Sequence, residues 1–415
     1  MSKDVLLFTA LLCFGVSAWS QGGCTDPLAQ NYNASARTND GSCTYASTSY
    51  QLFDKVDCAD ILEEVSGLAY VDGQLWGLND SGNENEIYRI DPASGQVLQS
   101  VRLSGRTNVD WEDMAADDNY LYVGDFGNNA GNRRDLEIHR ISISDLQDEN
   151  RTQVASQRIA FSFSDQQDFR ERANNHNFDC ESFFSDGDSL HLFSKNWVDR
   201  QCRHYVLPAR PGTYIAQVQE SFAANGLITA VDRSEEGVIC LLGYEGLTNF
   251  MWLLFDHPPG RPFAGNKRRI ELGNFGINGQ TEALVFQGQG QGWIGAEAIN
   301  LLGNSLPPQL FSFQSLQWTE LSTNADAPLA LAQAYQLDVR PNPVLDRLWV
   351  YRSDHQRNFP SRLLLYNLAG QLQAESFLSS DEQREFIDLS GLPSGCYLLC
   401  QQIGPYQNCR KIIKQ

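Results

Sequence analysis

The sequence predicts an all-β protein built on a β-propeller, and three observations carry this prediction. Short apolar runs alternate with polar residues and are separated by turns rich in Gly, Asn, Asp and Pro. One unit recurs five times, at intervals of roughly 40 to 70 residues. It consists of an acidic or hydroxyl residue, an apolar strand, a polar turn and a second strand. The first repeat contains four strands, at residues 67–70, 75–78, 87–90 and 97–103. Four-stranded units repeated around an axis are the blades of a propeller.

The number of blades follows from the number of repeats. The repeats begin near Val65, Val109, Cys180, Leu227 and Thr281. Five copies predict five blades. A further strand at Ser49–Phe53 either closes the ring against the last blade or begins a sixth blade, and the sequence leaves both open.

Length, composition and charge limit the function classes. The chain has 415 residues, of which 42% are apolar, enough for a large core and more than one domain. Lys and Arg number 31 against 51 Asp and Glu, and the net charge is −20. Such a surface repels nucleic acid and anionic membranes, so both are excluded as partners. It suits a secreted protein that meets divalent cations.

The order of segments predicts a multidomain secreted chain. Residues 1–20 read as a signal peptide, with Lys3, an apolar run from Val5 to Ala18 and small residues before Gln21. No later run of about 18 apolar residues follows, so we expect no transmembrane segment in the mature chain. We assign residues 21–47 to a small module, 48–321 to the propeller, 322–334 to a linker and 335–415 to a separate β-sandwich.

The small module has almost no apolar core, so a Cys24–Cys43 disulfide is the predicted staple. Its Cys-Thr-Asp-Pro and Asp-Gly-Ser-Cys motifs resemble short modules of Bacteroidetes surface proteins. Oxygen-bearing side chains in it either bind Ca²⁺ or form turns, and the turn interpretation is favoured. These residues are Asp26, Asn31, Asn33, Asn39 and Asp40.

The last 80 or so residues carry four motifs in order, among them Pro341-Asn342-Pro343, Asn367-Leu-Ala-Gly370 and Leu392-Pro-Ser-Gly395. They resemble the C-terminal sorting domain of the type IX secretion system, a small β-sandwich. Arg340 departs from the aromatic residue usual before Pro-Asn-Pro. The resemblance implies the type IX machinery as a partner, and a secreted or outer-surface location.

Cysteine usage adds one more prediction in this C-terminal domain. Cys400 and Cys409 are symmetric about Gly404-Pro405, so a bridge across that hairpin is geometrically natural. The ten cysteines less Cys13 of the signal peptide leave nine, so at least one thiol is free or paired between chains. The sequence does not assign partners to the remaining cysteines, which are Cys58, Cys180, Cys202, Cys240 and Cys396.

The residues that open the five first strands predict a ring around the axial channel. In a propeller these positions lie at one channel mouth, here Ser66, Glu112, Glu181, Thr229 and Glu282. Carboxylates crowded on one axis repel each other unless a cation lies between them or their pKa values rise. Oxygen ligands without His or Cys suit Ca²⁺. The alternative is that each side chain merely caps backbone N–H groups.

A second ring is expected just outside the first, from the turns after the second strands. Its members are Asp80, Asp125, Lys195, Tyr244, Glu245 and Glu297. Candidate catalytic groups are few. His176 precedes Glu181 and is a possible general base, while Lys195, Arg133 and Arg134 are the cations near the mouth.

The order Ser-Glu-Glu-Thr-Glu resembles the Ser-Glu-Glu-Ser-Glu ring of secreted calcium-activated nucleotidases (apyrases), which are five-bladed propellers with a central Ca²⁺. Thr229 replaces the second Ser of that pattern. Two functions follow. One is a surface propeller with Ca²⁺ that binds an unidentified ligand at the channel face. The alternative, which the resemblance implies, is a Ca²⁺-dependent hydrolase of phosphoanhydrides or phosphoesters, and the sequence does not decide whether the protein is an enzyme.

Overall fold

The structure is a computed structural model that describes residues 21–301, 304–319, 338–351, 361–367, 371–378, 384–403 and 406–415. The predicted signal peptide and linker lie outside these residues. Almost all regular structure is β. The α-helices in the described chain are two short turns, α1 (Phe275–Asn278) and α2 (Leu316–Thr319).

Before the first blade come four strands, β1 (Gly22–Gly23), β2 (Thr38–Asn39), β3 (Thr48–Ser49) and β4 (Phe53–Asp57). Blade 1 has β5 (Val65–Val71), β6 (Gln74–Asn79), β7 (Glu86–Ile90) and β8 (Val97–Leu103). Blade 2 has β9 (Trp111–Ala116), β10 (Tyr120–Asp125), β11 (Glu137–Ser142) and β13 (Gln157–Phe163), with the short β12 (Gln153–Val154) between them.

Blade 3 has β14 (Asp179–Asp186), β15 (Ser189–Lys195), β16 (Cys202–Pro208) and β17 (Gly212–Phe222). Blade 4 has β18 (Leu227–Arg233), β19 (Ile239–Glu245), β20 (Thr248–Phe255) and β21 (Asn266–Asn274). Blade 5 has β22 (Gln280–Gly288), β23 (Gln291–Glu297) and β26 (Gln309–Gln314), and the hairpin β24 (Ile299–Leu301) and β25 (Asn304–Leu306) leaves it between β23 and β26.

The ring closes with five blades, which confirms the predicted propeller. Each innermost strand contacts the innermost strands of both neighbouring blades, and β22 of the last blade contacts β5 of the first. The fourth strand of blade 5 is β4, which pairs antiparallel with β26 through Leu310 and Val56. The predicted closing strand therefore starts at Phe53 rather than Ser49, and β3 pairs instead with β21. No sixth blade is present among the described residues.

Outer strands of the blades are covered or charged, which limits edge-to-edge association. β12 pairs parallel to β8, and β17 pairs parallel to β13 while also belonging to blade 3. The outermost strand of blade 5, β4, carries Asp54, Lys55 and Asp57.

The core lies between successive blades, where alternate residues of each sheet face a neighbour. Trp76 and Trp111 fill the space between blades 1 and 2, and both are almost fully buried. Phe126 packs edge-on against Phe183 between blades 2 and 3, with 5.2 Å between ring centroids. Each such side chain stabilises the fold by about 2 to 3 kcal/mol. The blades are therefore held mainly by packing rather than by shared sheet hydrogen bonds.

The N-terminal module contains the predicted Cys24–Cys43 disulfide. Asp26 accepts hydrogen bonds from Leu28 N and Tyr45 Oη, at 2.8 and 2.6 Å. Asn31 binds both Ser42 O and Thr44 N. These contacts favour the predicted turn roles. The module packs on blade 4, where its Asn39 donates to Asp256 and Asn266.

The C-terminal domain is a sandwich of two sheets, in the order β27-β28-β31 and β30-β29-β32-β33. Its strands are β27 (Asp338–Arg340), β28 (Arg347–Tyr351), β29 (Ser361–Asn367), β30 (Leu372–Leu378), β31 (Arg384–Asp388), β32 (Gly395–Ile403) and β33 (Tyr406–Lys414). Leu348, Val350, Leu363 and Leu365 form its core. Cys400 is disulfide-bonded, and its cross-strand neighbour in the register is Cys409. In the described chain, no helix has the length and apolarity needed to cross a membrane.

Candidate metal centre

The same irregularity occurs in the innermost strand of every blade. A register shift falls at Ser66, Glu112, Glu181, Thr229 and Glu282, so each of these residues is the extra residue of a β-bulge. A bulge bends the strand and redirects the side chain of the extra residue. All five side chains are at least 95% buried. Each of the five predicted ring residues therefore occupies the same kind of β-bulge, at the same end of the innermost strand of its blade.

Three carboxylate side chains converge between blades 1 and 2. One oxygen from each of Asp80, Asp110 and Glu112 lies within 4.8 Å of the other two, and we call these residues the mouth cluster. Glu112 is 2% exposed, and within the described part of the chain its Oε1 atom has no hydrogen-bond partner. A Cβ atom at Gly127 would lie 1.9 Å from that oxygen and 2.5 Å from Asp110 Oδ2. Glycine at 127 thus leaves the space that the two carboxylates need.

Blades 3 to 5 supply the other charged groups of the mouth. Lys195 Nζ lies 3.0 Å from Glu181 Oε1, and both side chains are at least 93% buried. Its ammonium group also lies 5.2 Å from the ring centre of Trp197 and 5.7 Å from that of Tyr244. Glu282 accepts a hydrogen bond from Gln280 Nε2. One positive charge of the protein itself therefore already lies on this side of the ring.

The two hydroxyl residues of the ring make contacts between blades. Ser66 Oγ donates to Trp111 O at 3.3 Å, and Thr229 Oγ1 donates to Thr281 O at 3.1 Å. Both acceptors belong to the innermost strand of the following blade. This matches the backbone-binding alternative for Ser66 and Thr229, although each hydroxyl oxygen keeps lone pairs for a cation.

Burial and mutual repulsion raise the pKa values of the clustered carboxyl groups. Burial is the main cause for Asp80, whose pKa rises to about 7, and for Asp110, whose pKa rises to about 6. The pKa of Glu112 lies well above its usual value because of burial and then the charges of Glu181, Asp80 and Asp110. The pKa of Glu297 is also raised, first by burial and then by the charge of Glu282. Without a cation, this mouth therefore favours protonated carboxyl groups.

The predicted second ring is brought together only in part. Asp80 and Glu297 interact with the ring carboxylates, and Tyr244 with Lys195. Asp125 is instead held by Arg133, with 2.8 Å between Asp125 Oδ1 and Arg133 Nη2. Glu245 does not join the ring, because its side chain is 65% exposed and pairs with Arg269 on the blade surface. Its position at the end of β19 points it away from the buried carboxylates.

The candidate catalytic groups are mostly engaged elsewhere. His176 Nδ1 accepts from Phe178 N, and its Nε2 atom lies 3.1 Å from Asn129 O, so both ring nitrogens brace the loop. Arg133 also donates to Gly127 O. Arg134 stacks over Phe169 at 3.6 Å. Of these candidates, Lys195 alone lies among the ring carboxylates.

Sequence reasoning missed two acidic residues of the mouth. Asp110 directly precedes β9, and Asp179 begins β14. Asp179 is fully buried and accepts from Asn128 N and Trp197 Nε1, both at 2.7 Å. The available signal was their spacing, since Asp110 lies two residues before Glu112 and Asp179 lies two residues before Glu181.

Comparison with known proteins identifies the C-terminal domain. Residues 338–415 match the family described as the secretion system C-terminal sorting domain. Proteins with the type IX sorting domain are exported to the cell surface or secreted, so this chain is an exported protein. No match was found among curated proteins.

Solved structures are similar to this chain over part of its length. A luciferin-regenerating enzyme is 9% identical, with a TM-score of 0.35, and the match covers 64% of this chain and 97% of that one. Regucalcin from Agrobacterium tumefaciens, described as a calcium-binding protein, is 13% identical, with a TM-score of 0.35 and coverage of 65% and 95%. A protein of unknown function from Bacteroides caccae is 9% identical, with a TM-score of 0.28 and coverage of 68% and 84%.

Proposed function

We propose that this exported protein, whose sorting domain occupies residues 338–415, binds Ca²⁺ at the channel mouth of its propeller and a ligand on the surrounding face. The observation that carries the proposal is the unpartnered Oε1 atom of Glu112, buried in a cluster with Asp80 and Asp110. A buried carboxylate oxygen without a partner is costly. A divalent cation between the three carboxylates removes that cost.

The residues fit a hard cation. Asp80, Asp110 and Glu112 offer only oxygen atoms, which is the donor set that Ca²⁺ prefers over transition metals. The ring oxygens of Glu181 and Ser66 would complete the coordination sphere from neighbouring blades. Because Lys195 already neutralises Glu181, we place the cation toward blades 1 and 2. This refines the five-residue ring predicted from the sequence.

The ligand surface that we propose is the wall formed by blades 3 to 5 at the same mouth. Val198, Leu247 and Ile277 lie in turns on this face and are 54 to 61% exposed. The rings of Tyr244 and Phe275 pack against each other with 5.4 Å between their centroids, and Phe275 N donates to Leu247 O. An apolar wall beside a cation suits a ligand that has both an apolar part and an oxygen-bearing group.

The hydrolase alternative receives less support. Phosphoryl transfer needs cationic groups that stabilise the developing charge. Arg133 is paired with Asp125, Arg134 stacks on Phe169, and Lys195 is paired with Glu181. His176 uses both ring nitrogens for loop contacts. We therefore favour binding over phosphoanhydride or phosphoester hydrolysis.

Calorimetric titration of Ca²⁺ into chelator-treated, dialysed protein tests the cation. We expect binding at the mouth that is weakened at least tenfold by E112Q and by D110N, because each removes a ligand charge. E245Q is the matched control, since Glu245 is exposed and paired with Arg269. Absence of binding, or equal binding by E112Q and E245Q, would refute the site.

A phosphate-release assay separates the two functions. Incubation with nucleoside triphosphate and with p-nitrophenyl phosphate, in excess Ca²⁺, should release no phosphate above the buffer rate. Release that requires Ca²⁺ and is lost in E112Q would establish the hydrolase in place of the binding protein.

A further inference from the structure

We propose a second metal site, for a transition metal such as Zn²⁺, formed by Asp125, Glu137 and His139 of blade 2. One candidate ligand atom from each of these side chains lies within 4.8 Å of the other two. We call the three residues the blade-2 cluster. It differs from the mouth cluster in containing an imidazole, and it does not depend on the proposed Ca²⁺ site.

Sheet register brings the three side chains together. Asp125 at the end of β10 lies directly opposite Glu137 at the start of β11. His139 follows Glu137 by two residues and therefore points to the same face of the sheet. Trp111 packs edge-on against the imidazole ring, with 5.9 Å between centroids. The group thus lies on the side of blade 2 that faces blade 1.

The strongest support for a metal site comes from the environment of His139. His139 is 1% exposed, and neither ring nitrogen has a hydrogen-bond partner among the described residues. The nearest oxygens are Asp125 Oδ2, 3.8 Å from Nε2, and Glu137 Oε1, 3.6 Å from Nδ1. A buried polar group normally finds a partner, because leaving it unpaired away from water destabilises the folded state. A metal ion supplies such a partner.

Arginine residues hold the two carboxylates in place from behind. Arg133 Nη2 lies 2.8 Å from Asp125 Oδ1, and Arg158 binds Glu137 Oε2. Asp125 Oδ2 and Glu137 Oε1 are thereby turned toward His139. Groups that orient ligands in this way are typical of metal sites. They also lower the net negative charge, so we expect weaker binding than at a site without arginines.

The donor set selects the class of metal. One imidazole and two carboxylates suit Zn²⁺ or a similar transition metal, whereas Ca²⁺ takes six to eight oxygens. Zn²⁺ bonds of about 2.0 to 2.2 Å require the three ligand atoms to approach one another by about an ångström. The two carboxylates approach different ring nitrogens, and one ion binds only one nitrogen of an imidazole. A side-chain rotation of Glu137, which is 16% exposed, therefore has to bring its carboxylate to the Nε2 side of His139, beside Asp125 Oδ2. The fourth position would be left for water.

The competing account is a histidine that simply lies between two carboxylates and binds no metal. Crossed thermal melts with two metals and two variants separate the accounts. Zn²⁺ should raise the unfolding midpoint of wild type and E112Q by several degrees, and this shift should be lost in H139Q. Ca²⁺ should instead raise the midpoint of H139Q but not of E112Q. H257Q, which alters a histidine outside the cluster, should behave as wild type in both metals.

Co²⁺ titration followed by visible absorption gives a readout that does not depend on stability. We expect absorption bands at one equivalent in wild type and none in H139Q. If H139Q does not fold, E137Q supplies the same test. Equal Zn²⁺ shifts in wild type and H139Q, or a Co²⁺ spectrum unchanged by either variant, would overturn the second site. Loss of the Ca²⁺ response with retention of the Zn²⁺ response would overturn the proposed function alone.

Discussion

The mouth cluster lies between blades 1 and 2, and the blade-2 cluster lies on strands β10 and β11. The two clusters compensate their buried carboxylates in opposite ways. In the part of the chain that the structure describes, no ion pair to Asp80, Asp110 or Glu112 is present, and burial raises the pKa values of all three. Burial alone would also raise the pKa of Asp125, yet His139 and Arg133 lower it below its usual value.

The difference shows where each counter-charge comes from. Arg133 and Arg158 neutralise the blade-2 carboxylates within the chain itself. At the mouth, the nearest lysine, Lys195, is committed to Glu181, so Glu112 depends on protons or on an ion from solution. Stability that depends on an external ion varies with pH and with metal concentration, whereas an internal ion pair varies much less.

The largest expected effect is the pH dependence of the chelator-treated protein. Asp80 and Asp110 of the mouth cluster have pKa values of about 7 and about 6 in the folded state, against a usual value of 3.8, mainly because of burial. A raised pKa means that these groups stabilise the fold only while protonated. That contribution is complete below about pH 4 and is lost as the pH rises through about 6 to 7.

Urea unfolding of the chelated protein at several pH values measures this loss. We expect a decrease of about 1.4 kcal/mol per pH unit for each such carboxyl between about pH 5 and 6. Excess Ca²⁺ should flatten the decrease, because the ion favours the ionised form. The same slope with and without Ca²⁺ would show that mouth protonation and ion binding are not linked.

Removing the internal counter-charge tests the other cluster. R133M should destabilise the protein by about 3 kcal/mol, because it leaves Asp125 buried and poorly compensated. R134M is the matched control and should cost less than about 1 kcal/mol, since Arg134 is exposed and stacks on Phe169. The measurement is denaturant unfolding in Ca²⁺. Similar costs for the two variants would mean that Asp125 does not need its arginine.

A smaller effect is expected when the mouth loses its own lysine. K195M removes the positive charge 3.0 Å from Glu181, so the ring becomes more negative and should bind Ca²⁺ several-fold more tightly. In chelator the variant should be less stable than wild type by roughly 1 to 3 kcal/mol. Calorimetric titration and melts in chelator check both parts. Weaker Ca²⁺ binding by K195M would indicate that Lys195 supports the ion rather than competing with it.

Periodicity explains why much of the fold was predictable. Each repeat encodes a blade locally, so the ring positions could be counted from the sequence without knowing any contact. The bulges at Glu112 and Glu181 could not be predicted from the sequence, because no residue type or pattern marks an extra residue in a strand. The pairing of β17 with β13 could not be predicted either, since it depends on contact between different blades.

The same limit applies to the candidate site. Glu112 was found because its position repeats, whereas Asp110 was overlooked because it lies just outside β9. Glu137 and His139 resemble ordinary alternating residues of a strand. Only the antiparallel register with β10 places them beside Asp125. Side chains that meet across strands are set by register, which a single sequence specifies weakly.

Thermal melts of wild type and E112Q, each in excess Ca²⁺ and in chelator at about pH 7.5, test the central claim most directly. E112Q retains the shape of Glu112 and removes one charge. Ca²⁺ at about 100 times its Kd should stabilise wild type by about 2.7 kcal/mol and stabilise E112Q far less. In chelator, E112Q should be at least as stable as wild type, because a buried charge is gone. A wild-type melt that chelator leaves unmoved, or an equal loss of stability by E112Q in both conditions, would contradict the account.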